Sequence, residues 1–212
     1  SLDHGAARRF GEDTTPPMPT QLDKDISRIT QAVTAPGQMF ELTETTRRGV
    51  TMPAFKNAPP SLAHFFAHFC NEKKDELFIV DGDMRLTFGE VWHAASHVAH
   101  SLASQHGIEK GDRVGIAARN SANWIIAYMG VIMAGGCATL LNGWWTGEEM
   151  AYGIGLCDCK LVLADAQRAE RLEGVEHGAK VVVFEHGVPS EGLAPVWAAG
   201  DTAMTMLGQI GP

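Results

Sequence analysis

Nine histidines and four cysteines are the residues here best suited to metal or covalent chemistry, and their spacing argues against most of it. His64 and His68 stand one helical turn apart, a spacing that can bind a metal, but their face continues in Asn71 and offers no third ligand. His93, His97 and His100 fall on one face of the next helix, together with Ser104. One helix sets them in a row along its axis, and a row does not enclose an ion. Cys157 and Cys159 form a single C-x-C with no second pair downstream, which is weak support for zinc. Cys137 is expected to open a buried strand, where a free thiol behaves as a small hydrophobe. The thiols are expected to be reduced, as in a cytosolic protein. No metal site is assigned, and no residue is assigned a catalytic role.

Charge and hydropathy narrow the partners. A formal charge of −8, with the basic residues in pairs (Arg8-Arg9, Arg47-Arg48, Lys73-Lys74) and no basic stripe, gives no electrostatic case for nucleic acid. A protein handling small molecules is the plain expectation. No apolar run reaches the ~20 residues a membrane span needs; the nearest, Ala122 to Ala134, suits a buried helix. The opening Ser1-Leu2-Asp3-His4 has no secretory pattern. A cytoplasmic location follows as an expectation, and without an initiator Met the chain is expected to be a piece of something longer.

The elements that would position a site are read from periodicity. Residues 1–20, ending in TTPPMPT, are expected to form a flexible arm. Residues 21–60 are expected to hold a short amphipathic helix (Leu22, Ile26, Ile29, Val33) and then an irregular, extended strap. Residues 61–186 are expected to form an α/β subdomain, and residues 187–212 a linker. Within the subdomain, Ser61 caps a helix whose apolar face is expected to be Leu62, Phe65, Phe66 and Phe69. A hairpin follows, with Gly82-Asp83 at its turn. Thr87-Phe88-Gly89-Glu90 has the form of a capping box, and Leu86 and Val91 stand at the positions of a hydrophobic staple. The helix it starts is expected to bury Val91, Trp92, Ala95, Val98, Ala99 and Leu102, to turn His93, His97 and His100 outward, and to end at Gly107.

From Arg113 to Asp165 short apolar runs alternate with helix-length segments: RVGIAA, RNSANWIIAYMGVIMAGG, CATLLN, GWWTGEEMAYGIGLCD and CKLVLAD. That is the pattern of βαβ units and a parallel sheet flanked by helices. A second capping box, Thr146-Gly147-Glu148-Glu149 with Trp145 and Met150 at staple positions, starts the second helix of the unit. A fourth strand is expected over Lys180 to Phe184. In an open parallel sheet, ligands gather at the carboxyl ends of the strands. The rule nominates Asn120 and Ser121 after the first strand, and Asn142, Trp144 and Trp145 after the second. Asn120 and Ser121 also suit helix caps and Trp145 a staple, so Trp144 is the one residue offered for a substrate channel. A dinucleotide-binding unit needs G-x-G-x-x-G at the first turn; Ala118-Arg119-Asn120-Ser121-Ala122-Asn123 has no glycine.

Three stretches resemble a known family, the class I adenylate-forming (AMP-binding) enzymes, in the acyl-CoA synthetase branch. Leu86-Thr87-Phe88-Gly89-Glu90-Val91 is similar to the family's first core motif, L-T-Y-x-E-L. Asp112-Arg113-Val114-Gly115-Ile116, followed by Asn120-Ser121, is similar to its G-D-R-V strand and E-N-S turn. Val131 to Asn142 is similar to L-K-A-G-x-A-Y-V-P-L-N, with Leu140 where proline is common. Upstream, Arg48-Gly49-Val50 and Phe55-Lys56-Asn57-Ala58-Pro59 look like the acyl-CoA synthetase branch.

The resemblance implies the N-terminal subdomain of the acetyl-CoA synthetase-like fold. It implies a ligase that joins a carboxylic acid to coenzyme A through an acyl-adenylate, with ATP, Mg2+ and CoA as substrates or cofactor. It leaves the acid open among aromatic, medium-chain and long-chain kinds. The family's Ser/Thr/Gly-rich phosphate loop, adenylate-binding aspartate and catalytic lysine are not matched in these residues. The chain is therefore expected to scaffold an active site without containing it, to be inactive alone, to bind none of these molecules by itself, and to self-associate through open sheet edges. A non-catalytic interaction module on the same scaffold is the alternative.

Overall fold

The computed structural model describes residues 18–184. The chain divides into two units, Ser1–Ala58 and Pro59–Pro212.

In the first unit, Thr20 starts helix α1 (Gln21–Val33). The Asp23 amide donates to the Thr20 hydroxyl at 3.2 Å and the Thr20 amide donates to the Asp23 carboxylate at 2.8 Å. This is a third capping box, with aspartate in the place of the usual Glu or Gln. The stripe Leu22, Ile26, Ile29 and Val33 is present, yet no residue of α1 is buried.

The strap expected over 38–60 is instead a hairpin of β1 (Leu42–Arg47) and β2 (Val50–Phe55), paired from Leu42↔Phe55 to Arg47↔Val50. Arg48 (φ 51°) and Gly49 (φ 80°) both lie in the left-handed region, as a two-residue hairpin turn of matching twist requires. Pro53 is tolerated within β2 because both strands of a two-stranded sheet are edges.

The second unit is built on a four-stranded parallel sheet of β5 (Arg113–Ala117), β6 (Cys137–Leu140), β7 (Leu161–Asp165) and β8 (Lys180–Phe184), in the order β6-β5-β7-β8. Connecting segments carry α4 (Ala122–Met133), α5 (Gly147–Leu156) and α6 (Ala166–Leu172). Side chains alternate across the sheet with period two. Val114, Ile116, Leu161, Leu163, Val182 and Phe184 pack with α4, α3 (Phe88–Ser104) and α2 (Leu62–Glu72). Ala117, Val162 and Ala164 pack on the other side with Met150 and Ile154 of α5 and Leu172 of α6. A sheet covered on both faces explains why β5 and β7 read as unbroken apolar runs. Among the described residues no helix is long and apolar enough to cross a membrane.

Before the sheet, β3 (Leu77–Asp81) and β4 (Met84–Thr87) form the expected hairpin, with Gly82 at φ 58° in its turn. Thr87 then starts α3: the Glu90 amide donates to the Thr87 hydroxyl and the Thr87 amide to Glu90. Helices α3 and α4 approach closely at Gly130, where an added Cβ would lie 2.5 Å from a Val98 methyl. At the amino end of the sheet, Lys160 Nζ donates to Asp112 (2.8 Å) and to the Gly107 carbonyl (2.6 Å). That lysine, and the Glu109 amide, hold the Asp112 carboxyl below its ordinary range.

Three expectations about burial are corrected. Helix α2 buries Ala63 and Cys70, with Phe66 packed beside them, and leaves Leu62 and Phe65 exposed, so its inner face is rotated by one residue from the one expected. His97 is buried, not turned outward; its Nε2 lies 2.9 Å from His93 Nε2, so one ring donates and the other accepts. Cys137 is exposed because β6 is the edge of the sheet, a consequence of strand order.

Candidate functional site

The connection leaving β5 runs to β6 on one side, and the connection leaving β6 returns across β5 to β7 on the other. Reversal of direction at β5 opens a crevice at the carboxyl ends of β5 and β7, the usual ligand position in sheets of this kind. A cavity of about 480 Å³ lies there, lined by Asp81, Arg119, Asn120, Ser121, residues 165–168 and Phe184. A second, of about 360 Å³, is lined by residues 118–120, Trp124 and residues 140–144. Arg119 and Asn120 are common to both.

Each nominated residue can be placed. Ser121 is the N-cap of α4, its hydroxyl accepting from the Trp124 amide at 3.2 Å. Asp81, at the end of β3, accepts from the Ala122 amide at 2.9 Å and so also serves that helix start. Asn142 shapes the loop after β6: its side-chain oxygen accepts from the Trp144 amide at 2.9 Å, a local turn of the kind Asn favours. Trp145 turns inward and packs with Met150 in one cluster, as the staple requires. Trp144 is 76% exposed, the indole standing at the rim of the smaller cavity with the Arg119 guanidinium 5.3 Å from its ring centre. The strand ends thus bring Asn120, Asn142 and Trp144 to one rim, while Ser121 and Trp145 hold the backbone beneath it.

Sequence reasoning missed Asp165 and Arg168. Asp165 ends β7 and caps α6, accepting from the Arg168 amide at 2.9 Å and from the Arg119 amide at 3.0 Å. Arg168 is 2% exposed, and its Nε and Nη2 donate to the Gly143 carbonyl at 2.8 and 2.6 Å. The only advance signal was local: an Asp directly after an apolar strand is a cap residue.

The described lining of the crevice offers the guanidinium groups of Arg119 and Arg168, the carboxylates of Asp81 and Asp165, amide and hydroxyl groups and an exposed indole. Among the described residues no group of three or more His, Cys, Asp or Glu is placed to hold a metal ion. All four cysteines are free thiols; burial pushes Cys70 and Cys159 upward.

Comparison with known proteins places this geometry in a family. The family model described as AMP-binding enzyme matches residues 66–204. A medium/long-chain-fatty-acid–CoA ligase, FadD6 of Mycobacterium tuberculosis, is 32% identical over 110 residues, which cover 52% of this chain and 18% of that protein. The AMB antimetabolite synthetase AmbB of Pseudomonas aeruginosa is 28% identical over 144 residues, 66% of this chain and 11% of that one. The chain thus spans less than a fifth of either relative. Among solved structures, the anthranilate CoA ligase AuaEII in complex with anthranoyl-AMP superposes with a TM-score of 0.59 at 19% identity, over 67% of this chain and 29% of that one. The N-terminal domain of FACL13 from Mycobacterium tuberculosis gives 0.58 at 18% identity, over 68% and 37%. At such identities these two establish the fold alone, an α/β unit with a parallel sheet between helices. With two thirds of its length matched by the family model, the chain belongs to the AMP-binding enzymes, the class I adenylate-forming superfamily its motifs resemble.

Proposed function

We propose that this chain is the N-terminal part of an AMP-forming acid–CoA ligase. In that reaction a carboxylate attacks the α-phosphate of ATP, pyrophosphate leaves, and the thiolate of coenzyme A then displaces AMP from the acyl-adenylate. One observation carries the reading: three family-like motifs occur in order, and each falls at a joint of the fold. Leu86 to Val91 is the capping box of α3, Asp112 to Ser121 is β5 with its turn, and Val131 to Asn142 runs from α4 through β6. The ligase names of relatives such as FadD6 favour acid–CoA ligation over other adenylate chemistry.

The role of the chain in that reaction is support. The sheet presents Asn120, Asn142 and Trp144 at its carboxyl edge, where Trp144 would line the channel for the acyl group or the pantetheine arm. The 212-residue chain alone is expected to catalyse no exchange and, with β6 paired on one side alone among the described residues, to self-associate, which light scattering at high concentration would report.

The test is carboxylate-dependent exchange of labelled pyrophosphate into ATP by a protein carrying this chain at the full length of the family. No exchange with any acid would contradict the ligase and favour a non-catalytic module, and exchange with no dependence on an added acid would contradict carboxylate activation. Measurable exchange by the 212 residues alone would refute the scaffold role.

A further inference from the structure

Two charged side chains tie the carboxyl ends of three neighbouring strands together. Asp165, ending β7, accepts from the Arg119 amide beyond β5 and pairs with Arg168 Nη1 at 3.2 Å. Arg168 crosses to the loop after β6 and donates twice to the Gly143 carbonyl. The next residue is Trp144, and the Arg119 guanidinium stands over its ring, which closes the circuit.

We infer that Asp165 and Arg168 are positioning residues for Trp144, fixing where the exposed indole stands at the edge of the crevice. Past Leu141, whose amide donates to the Ile116 carbonyl of β5, the loop between β6 and α5 leaves the ladder, and its backbone carbonyl at Gly143 is held from α6. Burying a guanidinium is costly unless its donors are used. Here Nε, Nη1 and Nη2 are all engaged, and a planar fork fixes the direction as well as the distance of its acceptor. A residue needed only to fill the space beneath α6 could be apolar. Arg171 adds a donation to the Trp145 carbonyl at 3.0 Å, so the same helix grips the loop on both sides of the indole.

The decisive measurement is NMR relaxation on the 212-residue chain, which does not depend on the ligase reading. The Trp144 backbone order parameter should be about 0.85 in the native chain and fall below about 0.6 in Arg168→Lys, which keeps the charge and loses the fork. Asp165→Asn, which loosens the guanidinium without removing it, should lower it in the same direction and serves if Arg168→Lys does not fold. An order parameter unchanged in either folded variant overturns the inference, as does one equally low in the native chain.

A second arm rests on the proposed role of Trp144 in the full-length ligase. There, Arg168→Lys should raise KM for the acid or for CoA, and adding it to Trp144→Ala should raise KM no further. A purely structural Arg168 would leave KM unchanged and lower only the melting temperature. Failure of this arm with the relaxation result intact would contradict the channel role and leave the positioning standing.

Discussion

The guanidinium of Arg168 reaches the carbonyl of Gly143, 25 residues away in sequence, with two hydrogen bonds of 2.8 and 2.6 Å. The contact is buried, so removing the cation leaves the Gly143 carbonyl to a longer bond from Arg171 (3.3 Å) and leaves the Asp165 carboxylate, without its cation, to the backbone amides of Arg119 and Arg168. Arg168→Met should therefore cost about 3 kcal/mol, the low end for breaking a buried pair by deleting one partner. Urea unfolding reads it directly. A loss within experimental error of zero would show that water replaces the guanidinium freely.

Two glycines of α5 should respond oppositely to alanine. At Gly147 an added Cβ would collide with the Arg171 carbonyl, so α5 and α6 must move apart, with a cost of about 1–3 kcal/mol. Gly155 faces open space inside the same helix, and Gly155→Ala should stabilise by about 0.5–1 kcal/mol. Thermal melts of the two variants should move in opposite directions.

Acid should loosen α3 through its cap. The Thr87 amide and hydroxyl hold Glu90 below its ordinary value of 4.5. A carboxyl with a folded-state pKa below the unfolded one contributes stability that is present above the unfolded value and lost as pH falls through the folded one. Glu90→Gln should therefore flatten the decline in melting temperature below about pH 4.5. Thr87→Ala should cost about 1 kcal/mol near neutral pH. An unaltered acid limb in Glu90→Gln would argue that other carboxylates, such as Asp112 with Lys160, dominate it.

Thiol labelling should order the cysteines by position in the sheet. Cys137 on the edge strand is exposed and should react first with a thiol-specific reagent. Cys70 and Cys159 are buried, and burial also disfavours their thiolates, so both should stay protected until the chain unfolds. Rapid modification of Cys159 would show that the α5 side of the sheet opens readily.

Much of this arrangement was legible because local rules and tertiary demands agree. The apolar runs at 113–117 and 161–165 are strands buried on both faces, and the Thr87–Glu90 and Thr146–Glu149 spacings are capping boxes. Other parts were hidden for physical reasons. The hairpin at 42–55 escaped notice because its strands are mostly exposed and carry Pro53, so neither alternation nor burial marks them. Cys137 and His97 were misplaced because strand order and the packing of α4 on α3 decide their exposure, and a single element's period carries neither. The rule about strand ends anticipates the position of Asn120, Asn142 and Trp144 beside one cavity. It could not find Arg168, whose acceptor lies on a distant loop.

The central claim, that this chain supports acid activation, is tested most directly by pyrophosphate exchange in the full-length protein, supplied in turn with aromatic, medium-chain and long-chain acids. The account predicts that label enters ATP only when a suitable carboxylic acid is present. A folded full-length protein that exchanges no label with any of them would contradict it.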